Sequence, residues 1–463
     1  MTGSPLDALA GTDAWVVGGA IRDDLLGRLV GDVDVVVAGD PEEAARAVGS
    51  AVRGPVFQLS EAFGAWRAID RTEGCTYDIS VLKGGGIEQD LARRDFTVNA
   101  MARPVNGDAV IDPHGGRADL EAGVLRVLSE AAYADDPLRP LRLARFAAEL
   151  GFAPDPETER LTVAAAPRVA EAAPERVFAE LRRLLVAPGT LDAIRLADRL
   201  GLLDAVLPEV SALHDVEQSP YHHLDVYGHT LEVLERQIEL ESRLDEVFGE
   251  LAARLSGVLG EPLGDDLTHG QALRLGALLH DVGKPATRGV RPDGRVTFIG
   301  HDSEGQRMVA ALCRRLRTSE RLSRFLQGLT RMHLVLGFLV HERPLSRRDV
   351  YRYLKGTSPV EVEVTLLSCA DRLATRGRNA ERAIAAHLEL ACELMGAALD
   401  WRERGAVASP VRGDDLAREL GIQPGPELGR ILERLEEAAF TGEAPGREEA
   451  VRLARSLREN PDP

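Results

Sequence analysis

Aromatic residues are scarce in this sequence of 463 residues, and so are lysines. Aromatic side chains make up 4% of the chain, too few for the stacking platforms that bind single-stranded nucleic acid. Acidic residues outnumber basic ones by 74 to 56, which gives a formal net charge of −18. A uniformly basic coat for nucleic acid is therefore excluded. A local groove of arginines is not excluded, because a few guanidinium groups can neutralise several phosphates.

Cysteine pairs and long apolar runs are missing as well. The cysteines Cys75, Cys313, Cys369 and Cys392 form neither a CxxC pair nor a disulfide framework. No apolar run approaches the ~18 residues that suggest a membrane span. The N-terminus has neither the basic region nor the apolar core of a signal peptide. These absences predict a cytoplasmic protein without a membrane partner.

The hydropathy pattern changes along the chain. Over residues 14–120, predicted strands such as AWVVGG, VDVVVAG and YDISVL alternate with helices such as PEEAARAVGSAV. From residue 121 onward apolar residues recur at helical spacing, and most of the histidines fall within residues 212–400. We therefore expect the α+β class, with an α/β head followed by a mostly helical body. The expected parts cover residues 1–125, 126–211, 212–400 and 401–463.

Two aspartates in the segment GDVDVVV are the first candidate for chemistry. Asp32 and Asp34 are two residues apart, so on a strand both carboxylates point to the same face. Such a pair can hold two divalent cations for phosphoryl transfer, and Mg²⁺ favours oxygen ligands of this kind. Asp78, in the later strand YDIS, is a candidate third carboxylate. A lone DxD motif, however, more often marks solvated acids at a strand end.

A glycine pair strengthens that interpretation. Gly18 and Gly19 end a predicted strand just before a helix, where small residues let backbone N–H groups approach a phosphate closely. Arg22 follows within the first helical turn and adds a charge. A glycine turn by itself is weak evidence, since tight turns need glycine anyway. Its combination with the DxD strand is much more specific.

These motifs and those that follow resemble a known family. VVGGAIRDDLLG, GDVDVVV, LARRDFTVNAMA, DDPLRPLRLARFAAELGF and PERVFAELRRLL resemble successive motifs of class II tRNA nucleotidyltransferases (CCA-adding enzymes) and bacterial poly(A) polymerases. RGDDLARELGIQPGPELGRIL is similar to the tail of the bacterial enzymes. The resemblance implies a polymerase-β-like head, with a helical neck and tail that hold tRNA. It also implies template-independent addition of C and A from CTP and ATP with Mg²⁺.

The resemblance also implies roles for individual residues. Asp32 and Asp34 would bind the catalytic metals, with Asp78 beside them. Binding of the nucleoside triphosphate is implied for Gly18, Gly19, Arg22, Arg93, Arg94, Asp95 and Asn99. Asp136 and Arg139 would read the base, because a carboxylate accepts from the exocyclic amine of C or A and a guanidinium donates to the ring. Asp135 is either a binding residue or a helix N-cap beside Pro137. Arg142 and Arg145 either steer triphosphate or RNA or are simply solvated.

One segment departs from the family pattern. Only 14 residues, ISVLKGGGIEQDLA, separate Asp78 from Arg93, where most members carry a longer loop rich in Arg, Asp and Gly. Within the family a shortened loop is associated with enzymes that add only the two C residues and need a separate A-adding enzyme. Full CCA addition with a functionally replaced loop remains equally open. Poly(A) polymerase activity is disfavoured, since it should need the A-selecting loop.

The helical region carries a second candidate centre. Its histidines and aspartates resemble the metal ligands of HD phosphohydrolases, and the matching residues are His229, His280, Asp281, His301, His333 and Asp371. In that superfamily residues matching His301 and His333 are placed like ligands of a second metal, and Lys284 could bind phosphate. Mixed imidazole and carboxylate ligands suit Mn²⁺, Fe²⁺, Co²⁺, Ni²⁺ or Zn²⁺. His222 and His223 are interpreted as loop or RNA-facing residues.

The fusion of the two resemblances suggests repair of RNA 3′ ends. By analogy with bacterial members, the HD domain would act as a 2′,3′-cyclic phosphodiesterase, 2′-nucleotidase or phosphatase. One alternative is a phosphohydrolase whose head mainly binds RNA, and another is an RNA-binding protein in which both metal sites are inactive. A homodimer is a further open expectation.

Overall fold

The computed structural model describes residues 4–60, 64–218, 224–376 and 380–459. His222 and His223 lie outside these ranges. Contacts divide the chain into two compact units, Met1–Val206 and Leu207–Pro463. The finer division into four parts stays a prediction. Within the described ranges, no helix is both long and apolar enough to span a bilayer.

The first unit is built on a mixed six-stranded sheet with the order β3-β4-β5-β2-β1-β6. Its strands are β1 Ala14–Val17, β2 Asp32–Val37, β3 Val56–Ser60, β4 Ala65–Asp70, β5 Cys75–Val81 and β6 Ala102–Pro104, and a separate pair is β7 Val124–Leu125 and β8 Ala153–Pro154. In the large sheet only β2 and β5 run parallel, and the other pairs are antiparallel. The predicted strands in β1, β2 and β5 are confirmed, whereas β3, β4 and β6 had no prediction.

Helices pack on the sheet, and further helices follow it along the chain. They are α1 Gly19–Leu25, α2 Pro41–Ala51, α3 Ile87–Leu91, α4 Gly116–Ala122, α5 Glu130–Asp135, α6 Arg139–Leu150, α7 Pro156–Ala165, α8 Pro174–Val186, α9 Thr190–Arg199 and α10 Leu202–Val206. Short 3-10 helices cover Pro5–Leu9, Thr97–Asn99 and Ala166–Glu171. The α+β class with a sheet-containing head and a helical continuation is confirmed.

Strand β2 is buried on both of its faces at its C-terminal end. Val35 and Val37 pack into one apolar cluster together with Val48 of α2 and Ile79 of β5. Val36 points the other way, into a second apolar cluster on the opposite face. This explains the uninterrupted valine run, because a strand covered on both faces cannot alternate with polar residues. The polar N-terminal end of β2 is thereby left to Asp32 and Asp34.

The second unit is almost entirely helical. Its helices are α11 Pro208–Ser211, α12 Val226–Ser242, α13 Leu244–Phe248, α14 Ala252–Gly260, α15 His269–Leu279, α16 Lys284–Thr287, α17 His301–Leu316, α18 Glu320–Met332, α19 Val335–Leu339, α20 Arg347–Thr357, α21 Glu361–Leu373, α22 Ala380–Arg404, α23 Gly413–Leu420, α24 Pro426–Thr441 and α25 Arg447–Glu459. Two small hairpins pair β9 Pro262–Gly264 with β10 Leu267–Thr268 and β11 Gly289–Val290 with β12 Val296–Thr297. Further 3-10 turns cover Gly249–Leu251 and Val340–Glu342.

Truncating a core residue of the large sheet should destabilise the first unit selectively. Ile79 is fully buried in β5, so Ile79→Ala should cost about 2–5 kcal/mol through lost burial and an unfilled cavity. Calorimetry should show the transition of the first unit at lower temperature. Val163→Ala is the control, because Val163 is 51% exposed and should shift the transition little. Equal shifts for the two variants would contradict this packing.

Candidate active sites

The register between β2 and β5 brings the three predicted carboxylates of the head together. Asp34 lies directly opposite Asp78, and Asp32 lies opposite Thr76. Paired residues of neighbouring strands share a face, so Asp32, Asp34 and Asp78 form one cluster. The Thr76 hydroxyl donates a short hydrogen bond to Asp32. The cluster therefore lies where the sequence predicts it.

An arginine from the neighbouring strand β4 neutralises one member of this cluster. Arg67 donates from Nε and Nη2 to the two carboxylate oxygens of Asp78, each at 2.7 Å. Such a bidentate pair is among the stronger charge-assisted contacts. Asp32 and Asp34 are exposed, and within the described residues neither has a comparable bidentate partner. The geometry therefore leaves these two aspartates as the candidate metal ligands, with Asp78 held beside them.

The surroundings of Asp34 favour its protonated form. Removal of water by the surrounding protein raises the pKa of Asp34, although part of the side chain remains accessible. The neighbouring charges of Asp78 and Asp32 raise it further, and Arg94 and Arg142 oppose them. A carboxylate crowded by other carboxylates is stabilised when cations are bound nearby. The donor set of the head therefore fits divalent cations.

Gly18 occupies a backbone conformation that excludes other residues. Its φ is +73°, and a Cβ atom there would lie 2.7 Å from Nη1 of Arg94 and 3.6 Å from Oδ2 of Asp34. Its N–H donates to the carbonyl of Met101 at 3.1 Å. The turn before α1 therefore brings bare backbone against the carboxylate cluster. This is the close approach that the glycine pair predicts.

Buried polar residues continue the site away from the sheet. Nη1 of Arg22 donates to Oδ1 of Asn99 at 2.7 Å, and Nδ2 of Asn99 donates to Oδ1 of Asp95 at 3.0 Å. Nη2 of Arg142 lies 2.9 Å from Oδ2 of Asp95. Although burial favours the neutral acid, Arg142 and Asn99 hold the pKa of Asp95 below its usual range. These contacts fix the two guanidinium groups in place before any ligand binds.

A cleft of about 530 Å³ joins these features. The predicted residues that line it are Gly18, Gly19, Arg22, Asp32, Asp34, Arg94, Asp95, Asn99, Arg139, Arg142 and Arg145. The predicted residues outside its lining are Asp78, Arg93 and Asp136. Arg93 is exposed, and its carbonyl accepts from Nη2 of Arg139 at 2.8 Å. Most of the predicted nucleotide site is thus one continuous surface.

The two predicted base-reading residues are bound to protein groups. Asp136 accepts from Nη2 of Arg176, on α8, at 2.7 Å and from the N–H of Leu138 at 3.1 Å. Burial opposes the charged form, but Arg176 keeps the pKa of Asp136 below its usual range. Arg139 donates to the carbonyls of Arg93 and Ala132 at 2.8 and 3.0 Å. Both groups are thus held by protein contacts before a nucleotide binds.

The six predicted ligands of the second centre come from five helices of the second unit. His229 lies on α12, His280 and Asp281 follow α15, His301 begins α17, His333 follows α18 and Asp371 lies on α21. Two triplets each place one ligand atom per residue within 4.8 Å of the others, and these are His229, His280 and Asp371, and Asp281, His301 and His333. The structure therefore brings all six together.

Asp281 lies between the two triplets. Its Oδ2 is 3.1 Å from Nε2 of His280, and its Oδ1 is 3.4 Å from Nε2 of His301. The resemblance groups Asp281 with His229 and His280, whereas the geometry lets it reach both groups. Burial raises its pKa, yet His280 and Lys284 hold the pKa of Asp281 well below its ordinary value. Such a carboxylate would serve as a ligand of divalent cations held by either triplet.

Backbone carbonyls orient three of the imidazoles. Nδ1 of His280 lies 2.8 Å from the carbonyl of Ala277, and His301 and His333 make equivalent contacts at 2.7 and 2.8 Å. This contact fixes the Nδ1–H tautomer and leaves Nε2 to bind a metal. Burial lowers the pKa of His333 to about 4, so its imidazole is neutral near pH 7. The donor set therefore fits a pair of divalent cations.

Comparisons with known proteins identify the domains in which the two candidate sites lie. The family model described as "Poly A polymerase head domain" matches residues 14–84 and 69–126. The model described as "Probable RNA and SrmB- binding site of polymerase A" matches residues 151–213, and "HD domain" matches residues 226–376. The A-adding tRNA nucleotidyltransferase of Deinococcus radiodurans is 35% identical, with 94% of each chain covered. The chain belongs to the tRNA nucleotidyltransferase and poly(A) polymerase family.

Other members of this family are named for different activities. The CC-adding tRNA nucleotidyltransferase of Thermus thermophilus is 34% identical over 95% of this chain and 92% of its own. The multifunctional CCA protein of Halorhodospira halophila is 35% identical over 80% and 85%. A solved complex of a CCA-adding enzyme with CTP has a TM-score of 0.64 at 23% identity, covering 99% of this chain and 94% of that chain. The Thermotoga maritima CCA-adding enzyme with tRNA has a TM-score of 0.60 at 23% identity, with 98% and 93% covered. These two structures support the fold.

Two sequence interpretations of this nucleotidyltransferase are wrong. Arg145 is not solvated, because its side chain is 2% exposed and is paired with Glu149 and, by a short contact, with Glu180. Asp135 is not a helix N-cap, because it is the last residue of α5, and the N-cap of α6 is Leu138. The first error arose because the partner Glu180 comes from α8, which the local helical pattern of α6 does not reveal.

Four residues of the first unit were missed altogether. Arg67 holds Asp78, Arg176 holds Asp136, Glu180 holds Arg145, and Arg183 lines the cleft. Arg176, Glu180 and Arg183 all lie in PERVFAELRRLL, which the family resemblance singled out as a motif without assigning roles. That motif could have pointed to them. No local signal could have found Arg67.

Replacing Gly18 should impair nucleotide addition more than folding. Gly18→Ala forces an L-residue into a positive-φ conformation, which costs roughly 1–3 kcal/mol, and displaces Arg94. We expect at least a tenfold loss in kcat/KM for nucleotide addition, measured by primer extension, with the folded secondary structure retained in circular dichroism.

Gly11→Ala is the matched control, because a Cβ atom there meets nothing within 4 Å. Its kcat/KM should equal that of the unmodified protein. Unchanged activity in Gly18→Ala would contradict the close approach of this turn to the reacting groups.

Proposed function

We propose that the head adds nucleotides to the 3′ end of tRNA from CTP and ATP, without a nucleic-acid template. The observation that carries this proposal is the cleft in which Asp32 and Asp34 adjoin Gly18, Arg22 and Arg142. The relatives named for CC, A and CCA addition, and the solved complexes titled with CTP and tRNA, support the same substrates. The helical neck and tail would hold the tRNA.

In this proposal the residues of the cleft have separate roles in phosphoryl transfer. Asp32 and Asp34 would hold Mg²⁺, whose preferred ligands are oxygens. When bound, paired cations stabilise the charge on the attacking and leaving oxygens. Arg22 and Arg142, fixed by Asn99 and Asp95, donate to the triphosphate and orient it. Fixing these donors in advance lowers the entropic cost of aligning the reacting groups.

Base selection is assigned to Asp136 and Arg139. The carboxylate accepts from the amino group of C or A, and the guanidinium donates to an acceptor on the same edge. U and G present the wrong pattern and leave a buried charge without a partner, which is a costly mismatch. In this step the base replaces Arg176 as the partner of Asp136.

CC-only addition is the second candidate, and the short segment after Asp78 favours it. Within residues 79–92 only five residues, 82–86, connect the end of β5 to the five-residue helix α3, and the N–H of Gly85 donates to Oε1 of Gln89 at 2.5 Å. Little chain is therefore available to act as an A-selecting loop. The relatives' names include both CC-adding and A-adding enzymes at similar identity, so they support neither candidate over the other.

Extension of two tRNA primers at single-nucleotide resolution tests these candidates. One primer ends at the discriminator base and the other ends in CC, with CTP and ATP supplied separately and together. We expect CC to be added to the first primer from CTP alone and A to be added when ATP is present. Arrest after CC on both primers would establish the CC-only enzyme. Addition of A to the CC-ended primer alone would contradict both candidates.

For the second unit we propose hydrolysis of phosphoesters at RNA 3′ ends, as a 2′,3′-cyclic phosphodiesterase, 2′-nucleotidase or phosphatase. The histidine and aspartate cluster would hold Mn²⁺, Ni²⁺, Co²⁺ or Fe²⁺. When bound, such cations polarise a phosphoryl oxygen and activate water. In the monoester reaction the oxygen of water bonds to phosphorus, the bond to the ribose oxygen breaks, and that oxygen takes up a proton. When the ester is at the 3′ position, the product is the free 3′-hydroxyl that the head extends.

The two proposed activities should be separable by single substitutions. Asp32→Ala removes a head metal ligand and should abolish nucleotide addition while sparing phosphoester hydrolysis. Asp281→Ala removes the carboxylate between the two triplets and should have the reverse effect. Primer extension and release of inorganic phosphate measure the two activities, and elemental analysis measures the metal retained by each variant.

The expected loss in each case is at least a hundredfold, because a metal ligand acts on the transition state directly. Asp281→Ala should also lower the transition metal content. If neither variant loses an activity, the two assigned sites are wrong. A homodimer and a cytoplasmic location stay predictions.

A further inference from the structure

A second cavity of about 530 Å³ opens beside the histidine and aspartate cluster. His301 and Lys284, which belong to the cluster and its immediate surroundings, form part of its lining. The apolar part of the lining consists of Val296, Phe298, Ile299, Leu334, Val335 and Phe338. Its volume is in the range of small-molecule sites that combine an apolar wall with a few polar groups. The cavity is therefore continuous with the proposed hydrolytic centre and has space for more than a phosphate.

Two large apolar side chains of this lining are strongly exposed. Ile299 is 77% exposed and Phe338 is 66% exposed, on two different segments of the second unit. Packing these apolar side chains against a flat apolar ring would remove their surface from water, which favours binding. A nucleobase is such a ring, and it stacks on an aromatic face whatever its sequence. The exposed pair thus suits the base of a nucleotide.

The buried side chain of Lys284 lies between the polar end of the cavity and its aromatic wall. Lys284 is 8% exposed, and its Nζ lies 2.6 Å from Oδ2 of Asp281 and 2.7 Å from Oε1 of Gln218. The same Nζ lies 5.4 Å from the ring centroid of Phe298. A phosphate would be attracted towards Lys284 and the cluster, which leaves the aromatic wall to the attached nucleoside.

A basic hairpin borders the same cavity. Strand β12 contributes Val296 and Thr297 to the lining, and it pairs with β11. The segment from Arg288 to Arg295 carries three arginines and one aspartate, in a protein whose formal net charge is −18. Arg291 and Arg295 are exposed at the hairpin turn. Exposed arginines of this kind attract the phosphates of a nucleic-acid strand.

We propose that this cavity binds the terminal nucleoside of an RNA strand. The base lies against Phe338 and Ile299, the phosphoester points towards Lys284 and His301, and the arginines of the hairpin contact the preceding phosphates. The preferred substrate of the centre is then a strand end rather than a free nucleotide or a base-free phosphoester. This inference rests on the hydrolytic function proposed above.

A comparison of substrates with and without a base tests the apolar wall. Phe338→Ala should raise KM for adenosine 2′-phosphate roughly tenfold with kcat unchanged, because stacking contributes to binding. KM for glycerol 2-phosphate, which has no base, should not change. Val290→Ala is the matched control, since Val290 is 60% exposed but does not line the cavity. An equal effect of Phe338→Ala on both substrates, or no effect on either, would overturn the proposal.

A second comparison tests the hairpin. The double variant Arg291→Ala, Arg295→Ala should raise KM several-fold for an oligoribonucleotide ending in a 2′-phosphate, and this loss should shrink at high salt. KM for adenosine 2′-phosphate should stay the same. Equal KM values for the oligonucleotide in the variant and the parent would exclude the proposed contact between the hairpin arginines and the preceding phosphates.

A binding measurement separates this inference from the hydrolytic function. Calorimetric titration of the full chain with adenosine 2′-phosphate should show weaker binding to Phe338→Ala than to the parent, since nucleotide binding at the head is common to both. If the parent hydrolyses none of the phosphoesters but the variant still binds more weakly, the hydrolase proposal fails and the nucleoside site stands. Identical binding isotherms would overturn the nucleoside site whatever the hydrolytic result.

Discussion

Electrostatic repulsion between gathered carboxylates is the constraint that organises both sites. In the head, the parallel register of β2 and β5 forces Asp34 against Asp78, and Arg67 neutralises one of the two. In the second unit, Asp281 and Asp371 are placed among imidazoles, and Lys284 pairs with Asp281. Clusters of like charge persist in a fold only when cations compensate them. Both sites therefore suit divalent cations, which would supply part of that compensation.

Local sequence patterns predicted features within a single strand or helix. They missed side-chain contacts between elements that are distant in sequence. The valine run and the DxD spacing predicted β2, and the family motifs predicted all six residues of the second centre, which the fold does bring together. Arg67 reaches Asp78 only because the unpredicted strand β4 pairs with β5. The register between strands distant in sequence has no counterpart in the periodicity of either one. The solvated interpretation of Arg145 failed for the same reason, since Glu180 lies on another helix.

Arginine side chains suit this cleft better than lysine side chains would. The cleft of the head is lined by six arginines and four aspartates, so it is locally basic in an acidic protein. Several of these arginines contact a carboxylate and face the cleft at once, as Arg22 and Arg142 do. The planar guanidinium has five donors, so it can keep an internal partner and still donate to a phosphate. An ammonium group is a compact point charge without this fork.

In the base selection proposed above, the internal partners of Asp136 and Arg139 affect selectivity as well as stability. Asp136 is held by Arg176, and Arg139 is held by backbone carbonyls, so a nucleotide competes with contacts that already satisfy both charges. A base with the right donor and acceptor replaces those contacts and leaves no buried charge alone. A wrong base breaks the same contacts and replaces only some of them, so the energetic difference between bases exceeds the gain from the right one. Selection without a template then follows from this exchange.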